Sequence, residues 1–233
     1  MEVVMGMRLG VVTIGQTPRI DLTPELEALL PGVQLVERGV LDGCDAATIA
    51  SFAPQAGDHT LTTRLADGGS AIIGEAAVMR RLPDVLRGVA GETDAVLLAC
   101  TGPFPAIALD VPLFVPDRII AHALAAVAPI GRPVGIVAPL EAQRADTTAK
   151  FARVLGDDVP VHVAIASPYT DDEATLRTAA AELAAAGARV VALDCFGYTA
   201  AMRDAVADET GLPVVVARSV AARLAAEALG VTA

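Results

Sequence analysis

Short unbroken apolar runs alternate along this chain with stretches in which apolar residues recur every three or four positions. These are the signatures of buried strands and amphipathic helices. The first run, Arg8 to Gly15, ends in Gly15-Gln16-Thr17-Pro18-Arg19, and Leu22, Leu26, Leu29 and Leu30 then follow at helical spacing. Thr23 before Pro24 predicts an N-cap and a first helical residue, and Pro31-Gly32 predicts the stop. A strand is expected over Gln34 to Leu41 and a helix near Asp45 to Phe52. Thr60 to Leu65 and Ala71 to Ile73 flank Asp67-Gly68-Gly69, which predicts a hairpin. One helix is expected over Glu75 to Val89, and Ala95 to Ala99 reads as a strand of a parallel sheet.

Pro116 to Val127 predicts a helix, and Pro133 to Ala138 then opens what reads as a second copy of the beginning. Leu9-Gly10-Val11-Val12 matches Val134-Gly135-Ile136-Val137, each with an arginine just before it. Further on, Asp94 to Gly102 and Arg189 to Gly197 both run from an apolar strand into cysteine, one residue, then glycine, which suggests an internal duplication. The second half continues with a helix over Leu140 to Leu155, a strand over Val161 to Ala166 and a helix opened by Thr170 and Glu173 in capping-box spacing. A strand at Val190 to Leu193, a helix at Thr199 to Glu209 closed by Gly211, a strand at Val214 to Val216 and a helix at Ser219 to Leu229 closed by Gly230 complete it. Alternating strands and helices imply an α/β fold with parallel sheets. The halves are set at residues 7–131 and 132–233, with the boundary near Pro129 to Pro133. Met1 to Gly6 carry no pattern and read as a ragged leader.

Composition narrows the function classes. With 233 residues, 54% hydrophobic and 19% charged, the chain has enough apolar surface for a core without metal or disulfide staples. Seventeen basic against 28 acidic residues give a net charge of -11, and nucleic acid is not an expected partner, because such binding rests on a basic stripe. No segment has the length of a membrane span, so a membrane is not an expected partner either. Cys44, Cys100 and Cys195 offer no disulfide framework, and a reduced, cytoplasmic setting is the natural reading. There is no phosphate-binding loop of the Walker type, no GxGxxG after the first strand and no nucleophile elbow. Three dispersed histidines do not compose a metal site, and the absence of asparagine rules out a Cys-His-Asn triad.

Cys100 and Cys195 each stand where a parallel strand delivers its carboxyl end to a loop, the place where open α/β sheets bind ligands. Glycine-loop amides and a following helix N-terminus favour the thiolate there. With the halves facing each other across a pseudo-twofold axis, the two sulfurs would address one ligand from opposite sides, a geometry that fits stereoinversion next to a carboxylate. The competing reading is that both are small buried hydrophobes, as free cysteines frequently are.

The opening Val12 to Arg19, the stretch Ala53 to Asp58 ahead of Thr60 to Leu65, Leu98 to Gly102 and Leu193 to Tyr198, in that order, resemble the AroM family over nearly the whole chain from Met7. That family in turn resembles the aspartate/glutamate/hydantoin racemase superfamily. The resemblance implies two similar parallel-sheet α/β halves related by pseudo-twofold symmetry, an active site in the cleft between them and chemistry without a cofactor. Cys100 and Cys195 match the positions used there as acid and base. Members with one cysteine perform decarboxylation or cis-trans isomerisation, and some AroM-like chains lack the first cysteine.

Position supplies the remaining candidates. Gln16 and Thr17 occupy the first loop, where amides and the Thr17 hydroxyl would take a carboxylate. Arg19 is either a bidentate carboxylate clamp or a first-turn surface arginine. Thr101 and Gly102, and likewise Phe196 and Gly197, would offer amides to an enolate oxygen. Pro139, Leu140 and Glu141 open the equivalent loop of the second half. Asp194 either tunes Cys195 or caps a helix, and Tyr198 either donates a proton or covers the pocket. Cys44 is taken as incidental, and Arg64 as a lid contact from the hairpin. The expected partner is a small carboxylate-bearing molecule, such as an amino acid or a cyclic derivative. Apolar, alanine-rich helices make a homodimer plausible. Two functions from different classes follow: a racemase or epimerase, or a two-lobed module that binds its ligand without turnover.

Overall fold

A computed structural model describes residues 6–231; the leader expected at Met1 to Gly6 lies, apart from Gly6, outside them. Two compact units divide the chain at Val115/Pro116 and again at Val220/Ala221.

The first unit holds β1 (Arg8–Thr13), α1 (Thr23–Leu29), β2 (Gln34–Gly39), α2 (Ala46–Ala50), the antiparallel pair β3 (Thr60–Arg64) and β4 (Ser70–Gly74), α3 (Glu75–Met79), α4 (Leu82–Ala90), β5 (Ala95–Leu98) and β6 (Leu113–Phe114). Its main sheet runs β2-β1-β5-β6, parallel throughout. The single helix expected over Glu75 to Val89 is two helices. Pro83 has no N–H to donate and its ring excludes the carbonyl four residues back, so it sits in the opening turn of α4 and the chain breaks at Arg80 and Arg81. Thr23 is the first helical residue of α1 and not its cap; Leu22 takes that place, and the Thr23 hydroxyl donates to the Arg19 carbonyl and to Glu37. The two-residue strand β6 was not expected.

The second unit holds α5 (Pro116–Val127), β7 (Val134–Ala138), α6 (Arg144–Leu155), β8 (Val161–Ile165), α7 (Glu173–Ala185), β9 (Val191–Leu193), α8 (Ala200–Thr210), β10 (Val214–Val216) and the start of α9 (Ala217–Ala228). Its sheet runs β8-β7-β9-β10, again all parallel. The helix expected from Leu140 begins with a 3-10 turn at Glu141–Gln143 before α6. The cap of α7 is Asp172, whose carboxylate accepts the Thr175 N–H, and not Thr170. Packing assigns α5 to this unit, because Ile120, Ala121 and Leu124 share one apolar cluster with Val134, Ile136, Val190 and Ala192.

Each sheet therefore has the same order: a first strand flanked by the next in sequence on one side and by the cysteine-bearing strand on the other, with the last strand outermost. The repeated glycine explains itself in both. A Cβ on Gly10 would lie 2.1 Å from Val89 of α4, and one on Gly135 would lie 3.0 Å from Leu183 of α7. In each unit the helix preceding the cysteine-bearing strand rests on the bare backbone of the first strand.

Candidate functional site

Strand register fixes where the two cysteines emerge. In the first unit Leu98 pairs with Val12, and the next amide, that of Ala99, donates to the Val12 carbonyl at 2.7 Å. In the second, Leu193 pairs with Val137, and the Asp194 amide donates to the Val137 carbonyl at 2.9 Å. Cys100 and Cys195 are thus each the first residue past the last ladder bond of their strand. Both then turn in the same way: the Gly102 amide donates to Cys100 Sγ at 3.3 Å and the Gly197 amide to Cys195 Sγ at 3.4 Å. Negative charge on sulfur is what an amide aimed at it stabilises. These glycine amides, expected to face an enolate oxygen, face the thiols. Gly102 has a second constraint, since a Cβ there would lie 2.9 Å from Leu61.

Around Cys195, which is 7% exposed, the second unit has built a deep setting. The thiol lies 4.0 Å from the Tyr169 hydroxyl. Tyr169 stands in the loop after β8, held by its own N–H to Ser167 Oγ, while the Ser167 amide donates to Asp171. Arg218 of α9, fully buried, donates from Nε to the Phe196 carbonyl at 2.9 Å and from Nη2 to the Gly197 carbonyl at 3.0 Å. Neither Tyr169 nor Arg218 was visible as a candidate, because each reaches the turn across more than twenty residues with no spacing to betray it. Phe196 is buried beneath the turn. Tyr198 is buried and its hydroxyl donates to the Ala166 carbonyl; burial foremost, then the nearby Cys195 and Asp194, pushes its pKa well above the ordinary phenol value. Its hydroxyl is thus fully buried and spent on a backbone carbonyl. Asp194 caps no helix, for Thr199 caps α8. Its carboxylate instead meets Lys150 at 2.6 Å, and Lys150 also meets Asp117 at 3.1 Å. Burial works to lower the Lys150 pKa, but the Asp194 and Asp117 carboxylates outweigh it and hold the ammonium above its usual value. Pro139, buried, and Leu140, half-buried, follow β7, the strand beside β9, as the expected counterpart of the first loop.

In the first unit Cys100 and Thr101 are half-buried, at the carboxyl edge next to the loop carrying Gln16 and Thr17. That loop binds a carboxylate, and the carboxylate is the chain's own. Thr17 donates to Asp42 from both its amide and its hydroxyl, at 2.8 Å each, and the Gly39 amide joins at 2.7 Å. Gln16 ties its loop to two others: Nε2 donates to the Leu41 and Cys44 carbonyls and Oε1 accepts the Ala66 amide. Arg19 is 2% exposed, so it is not a surface arginine, and its fork is bidentate as expected, but on Asp21, at 2.8 Å for each bond, with Thr13 Oγ1 on its third nitrogen. Arg64 donates to the Gly68 carbonyl within its own hairpin. Cys44 accepts from Arg81.

Two strand-end cysteines in two similar parallel-sheet halves were the expectation drawn from sequence. The chain matches the AroM protein family over residues 9–229. It belongs to that family. No curated protein matches the chain. Among solved structures this AroM chain is similar to an unliganded arylmalonate decarboxylase (16% identity, TM-score 0.61, 97% of this chain and 94% of that one). It is similar also to an aspartate racemase of Picrophilus torridus (10%, 0.62, 97% and 95%). A maleate isomerase of Pseudomonas putida S16, determined with maleate, is a third (10%, 0.62, 96% and 92%). At these identities what is shared is the fold, an α/β fold with two parallel four-stranded sheets of the aspartate/glutamate racemase kind. No helix among the described residues is long and apolar enough to cross a membrane. Nor do three His, Cys, Asp or Glu side chains gather there as a metal-binding group.

Proposed function

We propose that this AroM chain is a cofactor-independent racemase or epimerase that inverts the carbon next to a carboxylate, with Cys100 and Cys195 as acid and base. The observation that carries the reading is the repeated turn, in which a strand-end thiol accepts the amide of the glycine two residues on. In the reaction one thiolate takes the α-proton, and the C–H electron pair moves into the carboxyl group to give an enolate. The other thiol then returns a proton to the opposite face, and the pair flows back to carbon. The Thr101 hydroxyl and the Tyr169 hydroxyl are the side chains assigned to hold substrate beside the sulfurs, with Pro139 and Leu140 as apolar wall. Arg19, Gln16 and Thr17 act one step back, by fixing the first loop.

The test is proton exchange in deuterium oxide, followed by NMR and optical rotation over a panel of amino acids, hydantoins and 2-substituted dicarboxylates. Exchange with inversion is expected for one class of compound, and Cys100→Ser or Cys195→Ser each lowers it by about 10²- to 10⁴-fold. A second reading draws on the deeper setting of Cys195, with the Tyr169 hydroxyl and the Arg218-held turn: single-thiol decarboxylase or cis-trans isomerase chemistry. It replaces the first if Cys195→Ser alone abolishes turnover. Ligand binding that survives both substitutions, with no exchange in the native chain, turns the assignment to a binding module.

A further inference from the structure

Placing a guanidinium wholly out of water is costly unless its donors are used, and packing alone would be served as well by an uncharged chain of similar length. Arg218 nevertheless heads the fully buried side chains of the described residues by size, and its Nε and Nη2 are spent on two consecutive carbonyls, Phe196 and Gly197. Those carbonyls belong to the turn whose Gly197 amide points at Cys195 Sγ. A Cβ on Gly197 would lie 2.6 Å from Tyr169 Cζ, so the turn is also pressed against the ring whose hydroxyl reaches the sulfur.

We infer that Arg218 is a positioning residue for the Cys195 thiol: its grip on the Phe196 and Gly197 carbonyls aims the Gly197 amide at the sulfur, and its fixed charge behind the turn favours the thiolate. The inference deepens the proposed function and rests on Cys195 acting there as acid or base. The nearby groups named above differ from it. Asp194 is matched by Lys150, which also meets Asp117. Asp171 accepts the Ser167 amide, and Tyr169 and Tyr198 contribute phenols that are uncharged near neutral pH.

The experiment uses the full chain and follows the ultraviolet absorbance of the thiolate against pH. The Cys195 part is the difference between a chain and the same chain carrying Cys195→Ser. Arg218→Gln keeps an amide donor and removes the charge, whereas Arg218→Lys keeps the charge and loses the fork. The expected result is a Cys195 midpoint raised by about one pH unit in the glutamine variant and by less than about 0.3 unit in the lysine variant. The inference is overturned if Arg218→Gln lowers the melting temperature and leaves the midpoint in place, or if both variants shift it equally. Should Arg218→Gln not fold, Arg218→Lys decides: a Cys195 midpoint that stays within about 0.3 unit of the native one upholds the role of the charge, and one raised by about one unit although the charge is kept overturns it. Proton exchange is scored separately. A shifted midpoint in a chain that exchanges no compound keeps Arg218 in its role at the thiol and removes the proposed reaction.

Discussion

A methyl group at Gly197 has nowhere to go, with Tyr169 Cζ at 2.6 Å and Pro168 Cγ at 2.8 Å. Gly197→Ala must therefore displace the tyrosine ring or the turn. We expect it to cost about 1–3 kcal/mol in urea unfolding and to lower turnover more than the cost in stability explains, because the Tyr169 hydroxyl and the Gly197 amide move off the sulfur together. Equal activity per folded molecule in the alanine variant would contradict this. At this scale the sequence was most legible where identity and local spacing carry the chemistry: the Cys-X-Gly repeat was readable because strand end, thiol and glycine are consecutive. Arg19 was readable as a fork but not as to its partner, since Asp21 and Thr13 compete with any substrate only once the loop is folded. Tyr169 and Arg218 left no trace, their roles being created by contacts 26 and 22 residues from Cys195 and its turn.

Helix ends are where the elements differ most from their sequence pattern. Thr199 caps α8 by accepting the Met202 amide at 3.2 Å, and Thr199→Ala should cost about 1 kcal/mol. For α7, Asp172→Ala should lower the melting temperature and Thr170→Ala should leave it unchanged, as read by circular dichroism. The reverse order would restore the capping box that the spacing suggested. The Asp172 pKa is lowered by its hydrogen bonds with Thr175, backbone first, so the cap's contribution is present above the ordinary carboxylate range and fades as pH falls through the lowered value. Strand and helix identity followed from periodicity because buried parallel strands are unbroken apolar runs and the helices are amphipathic. The breaks did not, since Pro83 fits a first turn as readily as it interrupts a longer helix. The strand β6 is two residues long, too short for any period to register.

At the scale of the whole molecule, the Lys150 bridge between Asp194 and Asp117 ties the end of β9 to α5 and α6 within one unit. Because the lysine pKa is raised in the fold, its stabilisation is fully present below the ordinary value of 10.5 and is lost as pH climbs through the raised one. Buried Tyr198 adds a loss over the same range, for the unfolded chain ionises its phenol near pH 10 while the folded chain resists. Thermal unfolding followed from neutral to alkaline pH should show a steep fall beyond about pH 10, weakened in Tyr198→Phe. Lys150→Met should lower stability by about 3 kcal/mol or more at neutral pH, because it breaks a buried ion pair from one side. A flat alkaline profile would contradict both assignments. One consequence remains in the unlike surroundings of the two thiols, one sunk beneath Tyr169 and a guanidinium-held turn, the other half-open at the edge of its own sheet. For an enantiomer pair the equilibrium constant is one, so kcat/KM must be equal in the two directions whatever the protein does. On the proposed reaction the kcat and KM values that compose it are under no such constraint, and two bases of different standing leave them free to differ. On the proposed reaction, a chain with two unlike thiols in two sheets of the same order is even-handed in thermodynamics while one mirror image is held longer and turned over more slowly than the other.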